Sequence, residues 1–348
     1  MRLGQVVRES NALVAASRIS SSRSQIANRK SQIKPASLSN FPLLSWLLYL
    51  GLVPQWEKIT LVGVGLLGGS LGFAIKQRRL ASCVAGYVRR SASVAECENA
   101  GVVDQAHTDL GRAVADAELI ILCTPIAQMA PLTTKMLPVL KRGSIVTDVG
   151  SVKASVVNEL EPLVASAGAH FIGSHPMAGA EKTGVASAHA HLFDGAICAL
   201  TPTANSPPEI VARLETFWKG LGARLLRLPP ELHDDLVSRS SHLPHVVAAE
   251  LANYVLSPVH PKEQGMLCAN GFRDTTRIAA GSPEMWRDIC LANRKNLARV
   301  LRVFIEDLQE FRLALDDQDL KAVEEFFRQA KARRDAWHAQ ASSSPSPE

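Results

Sequence analysis

A glycine-rich hexapeptide early in the chain has the spacing that binds a dinucleotide. Gly63-Val64-Gly65-Leu66-Leu67-Gly68 follows a short β-rich run at 59–62 and precedes a helical pattern at 69–76. The first glycine permits a tight turn, the second lets backbone approach a pyrophosphate, and the third lets helix and strand close together. Free N–H groups at the helix N-terminus favour the anion. We therefore predict that Gly63, Gly65, Leu66, Leu67 and Gly68 bind NAD or NADP.

The end of the next strand bears on which dinucleotide binds. NAD-selective folds place an Asp or Glu about 20 residues beyond the glycines, where it accepts hydrogen bonds from ribose hydroxyls. Val88 stands at that position, followed by Arg89, Arg90 and Ser91. Guanidinium groups bind phosphate as a fork, so we predict that these three residues contact a 2′-phosphate and that NADP is preferred over NAD. The alternative is that both arginines are solvated and that both dinucleotides are accepted.

Strand and helix patterns alternate over the first part of the chain. This alternation predicts an α/β fold with a Rossmann-type, doubly wound, mostly parallel sheet. Ligands of such sheets bind beyond the carboxyl ends of the strands, where polar loops occur at 123–125, 148–151 and 173–176. Thr124 and Pro125 of the first loop are predicted cofactor contacts. The predicted strands are 59–62, 83–88, 119–123, 144–148, 169–172 and 196–200, and predicted helices between them include 126–140 and 152–166.

Strand patterns stop near Leu228, and apolar residues then recur at helical spacing. Helical patterns cover 229–256, 284–311 and 319–337. Such a stripe usually faces a core or a subunit interface. We predict a dinucleotide-binding domain at 57–228, followed by an all-helical substrate and dimerisation domain at 229–340 through which the chain forms a homodimer.

The two ends of the chain differ in composition from the rest. Residues 1–56 carry seven Lys or Arg and a single Glu, and their apolar run at 41–56 is shorter than the about 20 residues that span a bilayer. The leader fits a targeting peptide, a disordered tail, or translation from upstream of the true start. We predict that 1–56 is a disordered or mis-assigned leader and that 341–348 is a disordered tail.

Composition excludes several classes of function. The net charge is +5, but with the leader set aside the remaining residues sum to −1, so no electrostatic footprint for nucleic acid is present. The six cysteines form no C-x-x-C pair, which argues against a zinc site or a disulfide framework and favours a reducing compartment. We expect a cytoplasmic protein with a small-molecule substrate, no metal and no membrane or nucleic-acid partner.

Eight segments in order carry a specific resemblance: GVGLLGGSLG (63–72), TDVGSVK (147–153), GSHPMAGAEKTG (173–184), LTPT (200–203), ELHD (231–234), SHLPH (241–245), GFRDTTRIA (271–279) and MWRDI (285–289). Through them the chain resembles the prephenate/arogenate dehydrogenase family from about residue 57 to 335. The resemblance implies NAD(P)-dependent oxidative decarboxylation of prephenate, arogenate or both, on the route to tyrosine. It also implies a nucleotide domain followed by a helical dimerisation domain.

The resemblance assigns the reaction to particular residues. His175 matches the family's catalytic histidine, and imidazole near its ordinary pKa of about 6.5 suits proton acceptance at neutral pH. Ser151 is expected to hydrogen-bond the substrate hydroxyl or His175, the alternative being a helix N-cap. Arg277 is expected to bind a substrate carboxylate, since guanidinium does so bidentately.

Other polar residues of the matching segments receive weaker assignments. His242 and Glu181 are expected near the substrate, His242 having a buried structural histidine as its alternative. Three residues are assigned structural roles: His233, His245 and Asp274. Arg273 and Arg287 rival Arg277 as the carboxylate ligand, or form structural ion pairs.

Two other classes of protein account for part of these observations. A Rossmann dehydrogenase acting on a 3-hydroxy acid or an imine would explain 63–72, but not the later segments taken together. A non-catalytic NAD(P) sensor would predict a degraded site, whereas Ser151, His175 and Arg277 are all present. The sequence does not distinguish prephenate from arogenate, which differ by a keto or an amino group on the side chain.

Overall fold

A computed structural model describes residues 54–179 and 184–343 of this chain. The predicted substrate contact Glu181, most of the leader and the end of the tail lie outside these residues. Across the described part, strands and helices alternate up to residue 227 and helices follow it, which confirms the predicted fold class.

The strands form one eight-stranded sheet. Its order is β3-β2-β1-β4-β5-β6-β7-β8, and every neighbouring pair is parallel except β6 with β7. The strands are β1 (Trp56–Val62), β2 (Ala81–Tyr87), β3 (Gln105–His107), β4 (Leu119–Leu122), β5 (Ile145–Asp148), β6 (His170–Pro176), β7 (Ile197–Thr201) and β8 (Arg224–Arg227). The sheet reverses its order between β1 and β4, and their carboxyl ends form the crevice in which folds of this class bind ligands.

The described helices are α1 (Leu66–Gln77), α2 (Ala92–Asn99), α3 (Leu110–Val114), α4 (Ile126–Met136), α5 (Ala154–Ser166), α6 (Pro208–Gly220), α7 (Pro230–Val237), α8 (Leu243–Val255), α9 (Lys262–Met266), α10 (Asn270–Thr276), α11 (Pro283–Ala292), α12 (Arg294–Asp316) and α13 (Leu320–Ser343). A π-helical turn at Ser238–His242 joins α7 to α8, and a 3-10 turn at Arg277–Ala280 follows α10. None of these helices is long and apolar enough to cross a membrane.

The central strands are apolar on both faces because helices cover both sides of the sheet. Leu61 and Ile121 belong to one buried cluster, whereas their neighbours Val62 and Ile120 belong to the cluster on the opposite face. Alternate residues of a strand point to opposite faces, so continuous apolar runs such as Leu119–Leu122 supply both cores.

The structure differs from the sequence-based elements in a few places. Strands β3 and β8 were not predicted: β3 has three residues, and β8 lies at an edge with little buried surface, so neither shows an alternating pattern. Strand β1 begins at Trp56, which is fully buried, one residue before the predicted domain boundary. The helical pattern at 284–311 is two helices separated at Asn293, and the pattern at 229–256 is interrupted by the π-helical turn.

The three glycines of the hexapeptide meet different constraints. Gly63 has φ +99, in the region that favours glycine, as expected for the tight turn after β1. A Cβ on Gly68 would lie 2.1 Å from the Gly63 carbonyl oxygen, so α1 closes on β1 only because that side chain is absent. A Cβ on Gly65 would meet no atom within 4 Å.

This contrast gives a matched pair of variants. Gly68→Ala is expected to destabilise the fold by roughly 1–3 kcal/mol, because the added methyl overlaps backbone that must move. Gly65→Ala is expected to change the free energy of unfolding by less than about 1 kcal/mol, because the space is open and only the preference at the helix N-cap changes. Chemical denaturation of both variants measures the difference, and equal stabilities would contradict the close helix–strand contact.

Candidate active site

The glycine turn and the loop after β4 meet at the crevice between β1 and β4. The backbone N–H of Cys123 donates to the Val62 carbonyl at 2.8 Å, and a Cβ on Gly63 would lie 2.9 Å from Cγ2 of Thr124. Gly63 and Thr124, two predicted cofactor contacts, are thus neighbours in the fold although they lie 61 positions apart in the sequence.

Two observations show room and bonding capacity for a dinucleotide at this crevice. The space beside Gly65 is open, and α1 begins immediately after it, so the first N–H groups of the helix point toward that space. Thr124 Oγ1 is buried and has no hydrogen-bond partner among the described residues. A buried hydroxyl without a partner is costly, and a bound ligand at the crevice would satisfy it.

The residues expected at the adenosine ribose lie at the carboxyl end of β2. Val88 is buried and its N–H donates to the His107 carbonyl at 2.9 Å, so this position presents no acidic side chain. Arg89, Arg90 and Ser91 follow it and are exposed, immediately before α2. Both guanidinium groups are therefore accessible at the edge where the ribose of a Rossmann-bound dinucleotide lies.

His175 is the second-to-last residue of β6 and is almost fully buried, with 7% of its surface exposed. Its Nδ1 lies 2.9 Å from Nε2 of His233. Burial lowers the pKa of His175 well below its ordinary value, and His233, Lys153 and His242 lower it further. The expectation of an imidazole near pKa 6.5 is therefore wrong for this site: His175 is neutral because its charged form is desolvated and faces other potential cations.

His233 is bound on its other side by the carboxylate of Asp234. The Nδ1 of His233 lies 2.8 Å from Oδ1 of Asp234. The same carboxylate accepts the backbone N–H of Lys153 at 2.7 Å and that of Ala154 at 2.9 Å. Asp234 thus caps the N-terminus of α5 from a neighbouring element, a role that the sequence did not attribute to it.

This cap bears on the alternative interpretation of Ser151. The sequence suggested Ser151 as the N-cap of a helix beginning at residue 152, but the helix begins at Ala154 and its first N–H groups bond to Asp234. That alternative is wrong. Ser151 lies half-buried in the loop between β5 and α5. This loop follows Asp148, the last residue of β5, and ends at Lys153, directly before α5.

Beneath His175 lies a buried ion pair that the sequence analysis missed. Lys153 and Asp148 are both fully buried, and their side chains form an ion pair. Lys153 Nζ also donates to the Ser174 carbonyl at 2.8 Å, and the Ser174 N–H donates to Asp148 Oδ1 at 3.2 Å. The pair therefore ties the carboxyl end of β5 to the segment of β6 that holds His175. Its only sequence signal is a Lys five residues after an Asp at a strand end.

His242 lies in the π-helical turn and is fully buried. Its Nδ1 lies 3.2 Å from Nδ2 of Asn293, the residue that separates α11 from α12. Its Nε2 has no hydrogen-bond partner among the described residues. Burial lowers the pKa of His242 to about 4; His233 and His245 act in the same direction, whereas Asp234 and the Ser151 backbone oppose it.

The remaining predicted residues lie in the helical part of the chain. Arg277 is exposed and begins the 3-10 turn that packs against α8, the helix that follows His242. His245 stacks on Trp286 with ring centroids 3.8 Å apart. The rival Arg287 is hydrogen-bonded to its neighbour Asp288 at 2.7 Å and 2.9 Å. Among the described residues, no group of three or more His, Cys, Asp or Glu side chains could hold a metal ion.

Comparisons with known proteins place this architecture among dehydrogenases. A family model described as the nucleotide-binding domain of prephenate dehydrogenase matches residues 71–227, and one described as its dimerization domain matches 229–329. The cyclohexadienyl dehydrogenase of Zymomonas mobilis is 34% identical over 283 residues, which cover 80% of this chain and 95% of that enzyme.

Solved structures give the same picture. Prephenate dehydrogenase from A. aeolicus, in complex with hydroxyphenyl propionate and NAD+, is 28% identical with a TM-score of 0.75, covering 80% of this chain and 97% of that one. Synechocystis arogenate dehydrogenase is 31% identical with a TM-score of 0.69, and the match covers 81% of this chain and 100% of that chain.

The lowered pKa of His242 predicts how stability depends on pH. The unfolded chain binds the proton near pH 6.5 and the folded chain only near pH 4, so the stabilisation present above pH 6.5 is lost as the pH falls. The loss is about 2 kcal/mol by pH 5 and about 3 kcal/mol at its full extent. His175, whose pKa is also lowered, adds in the same direction.

Urea denaturation between pH 7 and 4.5 tests this dependence. His242→Gln is expected to flatten the fall in the free energy of unfolding, whatever its effect at pH 7. The exposed residue His189 supplies the control, since His189→Gln is expected to keep the wild-type slope. An unchanged slope for His242→Gln would show that this ring titrates normally in the folded state.

Proposed function

The chain belongs to the prephenate dehydrogenase family, and on that premise we propose how its residues carry out the oxidative decarboxylation of prephenate, arogenate or both. The chain is an oxidoreductase of tyrosine biosynthesis that uses NAD(P). One observation carries the assignment of residues: His175 is buried at the carboxyl end of β6, where its pKa is lowered so that the ring is neutral.

The reaction sets three requirements on the protein. The substrate is a cyclohexadiene with a ring carboxylate, a three-carbon acid side chain and a hydroxyl on C4. Hydride leaves C4 for the nicotinamide while the hydroxyl loses its proton, and carbon dioxide then leaves as the ring becomes aromatic. The site must therefore supply a proton acceptor at the hydroxyl, a cation for a carboxylate, and a fixed distance between C4 and the cofactor.

We assign the proton acceptor to His175. A general base must be neutral before the reaction, and burial beside His233 and Lys153 keeps this ring neutral at physiological pH. Its Nδ1 is engaged by His233, so Nε2 is the nitrogen left to face the hydroxyl. Ser151 is assigned the second contact to the hydroxyl or to His175, which its place in the loop after β5 supports.

Arg277 is assigned to a substrate carboxylate. It is exposed on the turn that packs against α8, and guanidinium binds carboxylate with two parallel hydrogen bonds. His242 is assigned to the substrate side of the same region, since its Nε2 lacks a partner among the described residues. Glu181 remains a proposed substrate contact on the basis of the sequence.

Substitution of these residues separates proton transfer from binding. His175→Asn is expected to lower kcat by roughly 10²–10⁴-fold with little change in cofactor affinity, because it removes the general base. Arg277→Ala is expected mainly to raise KM for the substrate. Steady-state kinetics with prephenate and with arogenate measure both effects and establish which substrate is used.

Exposed residues of the same types provide matched controls. His191→Asn and Arg302→Ala change side chains that are 68% and 72% exposed, and both are expected to retain wild-type kinetics. Full activity of His175→Asn would rule out the proposed mechanism.

The preference for NADP over NAD is a finer proposal. It rests on the buried Val88 in place of an acid and on the exposed guanidinium groups of Arg89 and Arg90 next to Ser91. We expect kcat/KM to be higher with NADP, and Arg89→Ala to reduce the NADP/NAD ratio by about tenfold or more, since a charge-assisted phosphate contact contributes roughly 1.5–3 kcal/mol. A wild-type preference for NAD would overturn this assignment, and so would an unchanged ratio in Arg89→Ala.

We also propose a homodimer and a cytoplasmic location. Large apolar side chains remain exposed along the two longest helices: Ile305, Leu308, Leu313 and Leu315 on α12, and Phe326 and Phe327 on α13. A second copy of the chain that covers this surface would account for the exposed apolar side chains.

The proposed cytoplasmic location rests on the cysteines. All six are free, which suits a reducing compartment.

A further inference from the structure

We propose that Asp234 and His233 form, with His175, a hydrogen-bonded chain that sets the tautomer of His175 and takes up the proton which His175 removes from the substrate. The inference rests on the proposed role of His175 as general base. It assigns His233 and Asp234 as positioning residues, since neither is placed against the substrate.

The direction of the hydrogen bonds starts from Asp234. Asp234 is 2% exposed, and its carboxylate accepts the backbone N–H groups of Lys153 and Ala154 at the start of α5. An ionised carboxylate has only acceptors, and the helix N-terminus favours its negative charge. The third partner, Nδ1 of His233, must therefore be the donor of the 2.8 Å hydrogen bond.

The tautomers of both rings follow from this donor. A neutral imidazole with Nδ1 protonated has a lone pair on Nε2. His233 Nε2 is thus an acceptor, so the 2.9 Å hydrogen bond to His175 is donated by His175 Nδ1. His175 is consequently left with its lone pair on Nε2, the form that a general base requires.

The charges around the two rings suit an added proton. Asp234 is buried and its Oδ1 lies 2.8 Å from His233 Nδ1, so a negative charge contacts the second ring. Lys153 lies near His175 but is paired with the buried Asp148, and that pair has no net charge. The other titratable groups facing His175 are His233, His242 and the Cys198 thiol, whose pKa burial raises. A proton arriving on the histidines therefore neutralises the cluster, whereas a cluster without Asp234 would become positive in a buried site.

The proton step balances within the protein. The O–H bond of the substrate hydroxyl breaks and an Nε2–H bond forms on His175. The Nδ1–H bond of His175 breaks as that proton passes to Nε2 of His233. His233 then carries both protons and the positive charge, next to the Asp234 carboxylate, and His175 is neutral again. No electrons move in this step.

Nitrogen NMR of the full-length enzyme with ¹⁵N-labelled histidine tests the tautomers directly. In the wild type we expect His175 and His233 each to show a protonated Nδ1 and an unprotonated Nε2. In Asp234→Asn the amide can donate to His233 Nδ1, so both rings are expected to change to the Nε2–H form. Protonated Nε2 on His175 in the wild type would overturn the proposal.

Kinetics of His233 variants test the uptake of the proton. His233→Gln can still accept from His175 Nδ1 but cannot take up a proton, so we expect kcat to fall by about tenfold to a hundredfold with KM unchanged. His233→Phe removes the acceptor and is expected to lower kcat further. Because His233 lowers the pKa of His175, the acid limb of kcat/KM is expected to move to higher pH in His233→Gln.

The outcomes separate this proposal from the one on which it rests. If His175→Asn lowers kcat but His233→Gln and His233→Phe keep wild-type kcat and pH profile, the relay is wrong and the general base stands. If His175→Asn is fully active, the general base itself is wrong. Asp234→Asn also alters the α5 cap, so thermal unfolding of each variant is measured alongside; His233→Gln and the wild-type spectra decide the question even if Asp234→Asn fails to fold.

Discussion

The carboxylate of Asp234 is the contact on which the geometry of the site depends. It accepts two backbone N–H groups at the start of α5 and one ring N–H from His233. The first two bonds hold the helix that follows the loop with Ser151, and the third orients the ring that engages His175. Charge-assisted hydrogen bonds of this kind contribute roughly 1.5–3 kcal/mol each to stability. Removal of the Asp234 carboxylate would therefore both destabilise the fold and release the two elements that it joins.

This contact joins the two halves of the described fold. Asp234 and His233 lie on α7, which follows the last strand, whereas α5 and His175 belong to the sheet region. The family-model boundary falls between these parts, one model ending at 227 and the next beginning at 229. A histidine on a strand is therefore hydrogen-bonded by a group from the adjoining helical part.

The buried Lys153–Asp148 pair serves a second purpose in the same place. Burying two charges costs several kcal/mol in desolvation per ion, which their attraction and hydrogen bonds must offset. Here the pair also satisfies the Ser174 backbone on both its N–H and its carbonyl. Burial is the main cause of the lowered pKa of His175, and Lys153 lowers it further, so a residue that holds the end of β6 also disfavours a proton on the adjacent imidazole.

The sequence by itself determined the features that arise from local conformation and from periodicity. The turn at Gly63, the close approach at Gly68 and the run of strands and helices follow from backbone sterics and apolar spacing within short segments. The sequence also led to the expectation that ligands bind beyond the carboxyl ends of the strands. That β1 and β4 are the neighbours at which the order reverses came from the structure. Short or edge strands such as β3 and β8 carry too few buried positions for such a pattern.

Only the tertiary structure decided the chemical state of the site. The partners that lower the pKa of His175 and cap α5 are contributed by residues distant in the chain: His175 and His233 are 58 positions apart, and Lys153 and Asp234 are 81. No spacing rule connects such residues, so sequence reasoning could name His175 and expect an ordinary imidazole, but not a buried neutral one. The pKa of a side chain depends on its desolvation and on the charges packed against it, and both exist only once the chain has folded.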